Sequence, residues 1–175
     1  MSERAAEYLD REEIRELSRR YKRVLDRLDG ELLGSVFAAD ATVDYGFFQG
    51  SAADFVGFAL GVLKDHAANH HFIGQMMIAV DGDTANGEIY FQAFHRIEED
   101  GDAKDLFIAG HYLDRYERQD GRWQITFRSE VNVWSRSDPA ADEALTGNPA
   151  AIIGKRAPDD YSMPFFPAGL KRGAS

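Results

Sequence analysis

The sequence contains no cysteine in its 175 residues. This excludes disulfides, thiolate nucleophiles and cysteine-ligated zinc. It fits a reducing compartment, and a cytoplasmic location is expected. No stretch approaches the ~18 consecutive apolar residues of a membrane span. The opening MSERAAEYLDREE lacks an apolar core segment, so no signal peptide is expected. Basic charge is scarce: 20 Lys and Arg against 30 Asp and Glu leave a formal net charge of −10. That balance argues against nucleic acid or an anionic membrane as partner. There is no glycine-rich phosphate loop, since Gly57 and Gly61 fall within an amphipathic stretch, and no Gly-x-Ser-x-Gly elbow. The five prolines all lie at or after Pro139.

What is present points to one domain with a real core. Hydrophobic residues make up 44% of the chain, with twelve Phe, seven Tyr and two Trp, a supply of large side chains that suits a curved sheet wrapped around an interior. Residues 1–9 read as a frayed start. Asp10, with Glu13 three positions on, reads as the cap of a helix whose apolar stripe is Ile14, Leu17, Tyr21, Val24, Leu25 and Leu28. A short helix over Glu31–Ala38 follows, then a strand over 41–46. Ser51 caps a further helix with Phe55, Phe58, Ala59, Val62 and Leu63 as its buried side, ending near His66.

From Asn69 the apolar period changes from helical to two. Four strands are expected, over about 69–80, 86–98, 105–118 and 122–135. Asp81-Gly82-Asp83, Asp100-Gly101 and Asp120-Gly121 separate them, and Asp-Gly between alternating runs is a strong hairpin signal. Strands this long must twist and coil. The expected class is therefore α+β, a cone-shaped, curved antiparallel sheet packed against the N-terminal helices around a pocket. Residues 10–135 would form the domain, and 136–175 an extension covering the pocket or a neighbouring subunit.

Period two puts His71, Ile73, Gln75, Met77 and Ala79 on one strand face, and Arg128, Glu130, Asn132 and Trp134 together on another. His71 near Asp26 would make a proton-transferring pair, the carboxylate holding the ring's tautomer. Tyr21 could donate to a substrate oxygen, and Arg128 or Asn132 could steady developing negative charge. Tyr45, His95, Asn132, Trp134 and Phe166 are taken as substrate-binding. Each has a plain structural alternative: Tyr21 as core, Asp26 as a solvated helix residue, Arg128 as a cross-strand ion pair with Glu130 or Asp114, His95 as packing. No metal site is expected. His66 and His70 have His-x-x-x-His spacing, but the helix ends near His66 and Ala67 replaces the motif's Glu.

Taken together, Tyr21-Lys-Arg-Val-Leu-Asp26, Val36-Phe-Ala-Ala-Asp40, His71 ten residues before Asp81, and Tyr116-Glu-Arg-Gln-Asp-Gly-Arg-Trp-Gln-Ile125 leading to Arg128 resemble the SnoaL-like branch of the nuclear transport factor 2-like superfamily. The likeness is to its scytalone dehydratase, hexachlorocyclohexane dehydrochlorinase and bile-acid 7α-dehydratase members. The resemblance implies an α+β cone, a homotrimer, and no metal or organic cofactor. It implies His71 as general base, Asp26 as its orienting partner, Tyr21 as donor and Arg128 in the pocket. The implied activity is a lyase of dehydratase type on a small apolar cyclic substrate. An isomerase or polyketide-type cyclase with the same dyad, or a non-catalytic small-molecule binding domain, stands as the alternative. Tyr21 occupies the dehydrochlorinase's lysine position, which favours dehydration over dehalogenation. Ala93 falls where the bile-acid enzyme has a further carboxylate. An ideal helix, at ~100° per residue, puts Asp26 well off the stripe that carries Tyr21.

Overall fold

A computed structural model describes residues 2–141, 145 and 147–165. Its elements are α1 (Glu3–Arg27), α2 (Gly30–Gly34), β1 (Phe37–Asp44), β2 (Gln49–Ser51), α3 (Ala52–Leu63), β3 (Ala68–Asp81), β4 (Thr84–Glu99), β5 (Asp102–Gln119) and β6 (Arg122–Pro139), then a short 3₁₀ turn, Met163–Phe165. One six-stranded sheet runs β2-β1-β6-β5-β4-β3. The β3-β4-β5-β6 meander is antiparallel throughout, and β1 joins β6 in parallel. The curved sheet does not close. With the helices against its concave side it is the cone of the nuclear transport factor 2-like fold.

The helix starts earlier than its apolar pattern suggests. Ser2, not Asp10, is the cap: its side chain accepts from the Ala5 amide. Glu7 and Arg11, one turn apart, pair at 2.5 Å and help hold the first turns where no apolar stripe exists. Asp10 instead accepts from the Trp123 indole at 3.1 Å and pairs with Arg118 at 2.8 Å, pinning the helix to the β5–β6 hairpin. The second helix is shorter than expected. It stops at Gly34, and Phe37 and Ala38 belong to β1, whose pairing with β6 starts at Phe37 opposite Ile125. In α3 the Ser51 cap is as expected, but Phe58 and Val62 are 42% and 43% exposed, so the buried side narrows to Ala52, Phe55, Ala59 and Leu63.

The hairpin turns follow their residues. Asp100-Gly101 and Asp120-Gly121 all have positive φ, the backbone of a two-residue turn whose twist matches that of the strands. The strands themselves exceed their expected bounds at both ends of the meander.

Irregularities in the ladder decide which residues face inward. Along β3, Ile73 pairs with Phe91 but Met76 pairs with Ile89, so β3 carries one extra residue near Gly74-Gln75. His71 and Ile73 therefore share the concave side with Met76, Ile78 and Val80, and Met77 is turned out, 67% exposed. Regular alternation had placed Met77 with His71. On β6, Asn132 pairs with Gly110 and Trp134 with Ala109. The extra residue, Val133, sends Trp134 to the face opposite Asn132, where it is 48% exposed.

The core between α1 and the sheet is built from Ile14, Leu17, Tyr21, Val24, Leu33, Val36, Ile89, Tyr112, Tyr116 and Ile125 among others. Within it lies Arg128, fully buried, its Nε and Nη2 donating to Asp114 at 2.7 and 2.6 Å. Tyr116 donates to the same carboxylate at 2.6 Å.

Candidate active site

The α1 helix meets the first turns of β3 at its C-terminal end. There Asp26 Oδ1 lies 2.7 Å from His71 Nδ1, and Asp26 Oδ2 accepts from the His71 backbone N–H at 3.2 Å. Both side chains are almost wholly buried, at 11% and 5% exposure. The two contacts to one carboxylate place the proton on Nδ1 and leave Nε2 as the free acceptor. Burial, reinforced by the Lys22 cation, lowers the His71 pKa to about 4 despite the opposing pull of Asp26. The ring is thus a neutral base across the physiological range.

Asp26 reaches the interior because α1 is buried over a wide arc. Beside the apolar stripe runs a second, polar one: Ser18, Lys22 and Asp26, four residues apart and all buried. The tyrosines sit on the other side of that arc. Tyr21 and Tyr45 hydroxyls are 2.8 Å apart, both fully buried, and burial holds both phenols protonated by raising their pKa. Tyr45 is stacked on Phe55, with ring centroids 4.2 Å apart.

A second histidine layer backs the first. The His95 ring meets the His71 ring edge-on at 5.2 Å, and the His66 ring lies 5.1 Å from His95. Between them is Asn69. With its amide nitrogen toward acceptors, it donates to Nδ1 of both His66 and His95 at 3.0 Å, and its oxygen accepts from Arg156. His95 then carries its proton on Nε2, the opposite tautomer to His71. Burial, with the neighbouring His71 and His66, lowers the His95 pKa to about 3, so this ring too is neutral.

Of the residues singled out from sequence, Asp26, His71, Tyr21, Tyr45 and His95 come together in one buried region. Arg128 lies below Tyr21, its Cζ 4.2 Å from that ring's centroid, and is held chiefly by Asp114. Only its Nη1 lacks a hydrogen-bond partner among the described residues. Asn132 faces the concave side but is exposed, and Trp134 faces away. Phe166 lies outside the described residues.

Three residues escaped the sequence reading. Lys22 lies off the apolar stripe of α1, yet it is 4% exposed and its Nζ is 2.5 Å from the Tyr112 hydroxyl. Burial and the Arg128 cation pull its pKa to about 7, against Glu130, Asp26 and Asp114. Its spacing from Ser18 and Asp26 was the available signal. Asn69 shares a strand face with His71 by simple alternation. Arg156, in the aperiodic C-terminal region, left no signal. It donates to the carbonyls of Asp26 at 2.6 Å, Leu63 at 3.4 Å and His66 at 3.3 Å, joining the ends of α1 and α3 to the start of β3.

The described part of the C-terminal extension packs on α1 of its own chain. Ala157 N–H donates to the Arg27 carbonyl at 3.0 Å, and the Arg27 side chain pairs with Asp160 at 3.1 Å.

Comparison with known proteins places this architecture. The SnoaL-like domain family matches residues 6–129. The chain belongs to the SnoaL-like family. Among curated proteins, an uncharacterized protein of Mycobacterium tuberculosis is 29% identical over 135 residues, covering 75% of this chain and 90% of that protein. Among solved structures, a Novosphingobium aromaticivorans protein provisionally assigned as a scytalone dehydratase superposes with a TM-score of 0.67 at 21% identity, covering 77% of this chain and 91% of its own. Hexachlorocyclohexane dehydrochlorinase type 3 from Novosphingobium barchaimii gives 0.65 at 20% identity, covering 78% and 93%. At these identities the likeness to the two solved structures is one of fold. Among the described residues no helix is long and apolar enough to cross a membrane.

Proposed function

We propose that this SnoaL-like chain is a lyase that removes water from a small cyclic substrate, working without a cofactor. The observation that carries the reading is the buried His71–Asp26 contact at 2.7 Å, which leaves a neutral imidazole with Nε2 free. His71 Nε2 takes a proton from a substrate carbon. The C–H electron pair becomes the new double bond, the C–O bond on the adjacent carbon breaks, and the proton goes on to the departing hydroxide to give water. Asp26 fixes the tautomer and stabilises the transient imidazolium. The Tyr21–Tyr45 hydroxyl pair, kept protonated by burial, donates to the leaving oxygen.

The same reading carries assembly into a homotrimer through the outer sheet face. Met77, Leu113 and Val131 are exposed there, beside a groove of about 600 Å³ lined by Met77, Leu113 and Phe127. A monomeric mass in sedimentation equilibrium would remove that part.

The decisive experiment incubates the protein with a panel of cyclic alcohols bearing an acidified neighbouring C–H and follows loss of water by mass spectrometry. His71→Ala and Asp26→Asn should each lower turnover by roughly 10²–10⁴-fold while the fold is kept. Undiminished turnover in either variant sinks the dyad. A product of unchanged mass replaces the lyase with an isomerase.

A further inference from the structure

Lys22 is not used by the proposed reaction, yet it is almost wholly buried. Its Nζ lies over three rings: Tyr112 at 4.3 Å, Phe91 at 4.5 Å and Tyr21 at 5.4 Å. Such faces stabilise an ammonium. Its hydrogen bond among the described residues goes to the Tyr112 hydroxyl, one donor of the three an ammonium has. No carboxylate among the described residues comes within ion-pair distance of it. Arg128, also buried, is matched directly by Asp114. A buried amine with unused donors and no direct counter-ion is costly unless something negative is brought to it.

The groups around Lys22 come from every packed element. Asp26 and Tyr21 lie on α1, His71 on β3, Phe91 and His95 on β4, Tyr112 and Asp114 on β5, and Arg128 and Glu130 on β6. Lys22 is close enough to His71 to depress its pKa and lies one helical turn before Asp26. The carbanion that His71 would generate therefore forms beside a buried amine able to carry positive charge. Negative charge developing on a carbon is best carried by a conjugated oxygen, and preorganised donors aimed at that oxygen lower the barrier most in a dry site.

We infer that Lys22 Nζ and the Tyr112 hydroxyl bind the oxygen of an enolate, so that the substrate is a ring whose acidic C–H lies next to a carbonyl. The inference rests on the elimination reading for its chemistry, but the binding it describes is measurable without turnover. On proton abstraction the C–H pair delocalises onto the carbonyl oxygen, which Lys22 and Tyr112 hold. Collapse of that oxyanion re-forms the carbonyl as the β C–O bond breaks. No co-reactant is required.

The test uses 4-nitrophenol as oxyanion probe and nitrobenzene as its neutral counterpart. The full-length protein is titrated below the phenol's own pKa, and the phenolate absorption band is followed. The expected result is that the band grows on binding, so that phenolate is preferred over nitrobenzene. Lys22→Met should lower phenolate affinity at least ~10-fold and leave nitrobenzene binding unchanged. Tyr112→Phe, which keeps the ring stack on Phe91, should lower it several-fold, and it preserves the test if Lys22→Met does not fold. Equal binding of the two probes, binding of neither, or phenolate affinity unchanged in both variants overturns the inference. The titration is repeated in His71→Ala, where phenolate binding should persist. Persistence there supports the Lys22 assignment even if the elimination itself fails, and its loss there overturns it.

Discussion

Arg156 donates to the backbone carbonyl of Asp26 at 2.6 Å, across 130 residues of sequence. The same guanidinium reaches the carbonyl of His66 and the Asn69 amide oxygen. One cation from beyond the matched family domain thus ties the helix carrying Asp26 to the strand carrying His71. It also occupies carbonyls at the C-terminal ends of two helices, where positive charge is favoured.

Under the proposed elimination, Arg156 acts as a positioning residue. Arg156→Met should lower kcat by on the order of ten- to a hundredfold, because small displacements of a proton-transferring pair are expensive. KM should change less, and Arg156→Lys should recover part of the loss. The readout that separates positioning from simple loss of stability is the His71 ring itself. Its titration, followed by NMR, should shift in Arg156→Met at temperatures where the variant is folded.

The depressed His71 sets an acid limit well below that of an ordinary histidine. If neutral His71 is the base, kcat/KM should hold as pH falls and drop only around pH 4. In Asp26→Asn the partner that raises the His71 pKa is gone, so the remaining activity should titrate lower still. An acidic limb near the usual histidine value of about 6.5 would contradict the buried, neutral ring.

Stability has its own pH dependence, of fixed sign. Between the ordinary histidine pKa and about 4 the unfolded chain binds a proton at His71 that the native chain refuses. Stability is therefore complete above that window and falls as pH drops through it. His95, held near 3, adds to the same loss. Urea midpoints measured at several pH values should fall monotonically on acidification across this range, and His71→Gln should flatten part of the slope.

The Arg128–Asp114 pair should behave as structure rather than as chemistry. Both are essentially inaccessible, and the bond is two-pronged. Asp114→Asn leaves a buried guanidinium without its counter-charge and should cost about 3–5 kcal/mol of stability, read from urea unfolding. A loss under about 1 kcal/mol would mean that water reaches the pair.

Gly110 lies at a register shift between β5 and β6. A Cβ there would stand 2.2 Å from the Val131 carbonyl oxygen, which is backbone and cannot swing aside. Gly110→Ala should destabilise by about 1–3 kcal/mol, seen as a lower Tm, and should loosen the end of β6 that carries Asn132. An unchanged Tm would show that the strands can part there without cost.

Much of this molecule is local and was therefore legible. Helical spacing from Ile14 to Leu28, the Ser51 cap and the Asp-Gly turns act over a few residues, and each produced the element it implies. His71 and Asp26 were separable from the other charged residues only through the family likeness, since nothing in spacing alone joins residues 45 positions apart. Face assignment failed where strands carry an extra residue: Met77 and Trp134 obey alternation in sequence but not in space. The sequence by itself determined the α+β class, the meander and its turns, because periodicity and turn chemistry are short-range. Tertiary structure alone decided that Lys22 is interior, that Arg156 clamps the dyad, and that β1 lies parallel to β6. Those outcomes depend on how wide an arc of α1 the curved sheet covers and on which distant segments then meet, quantities that no local pattern encodes.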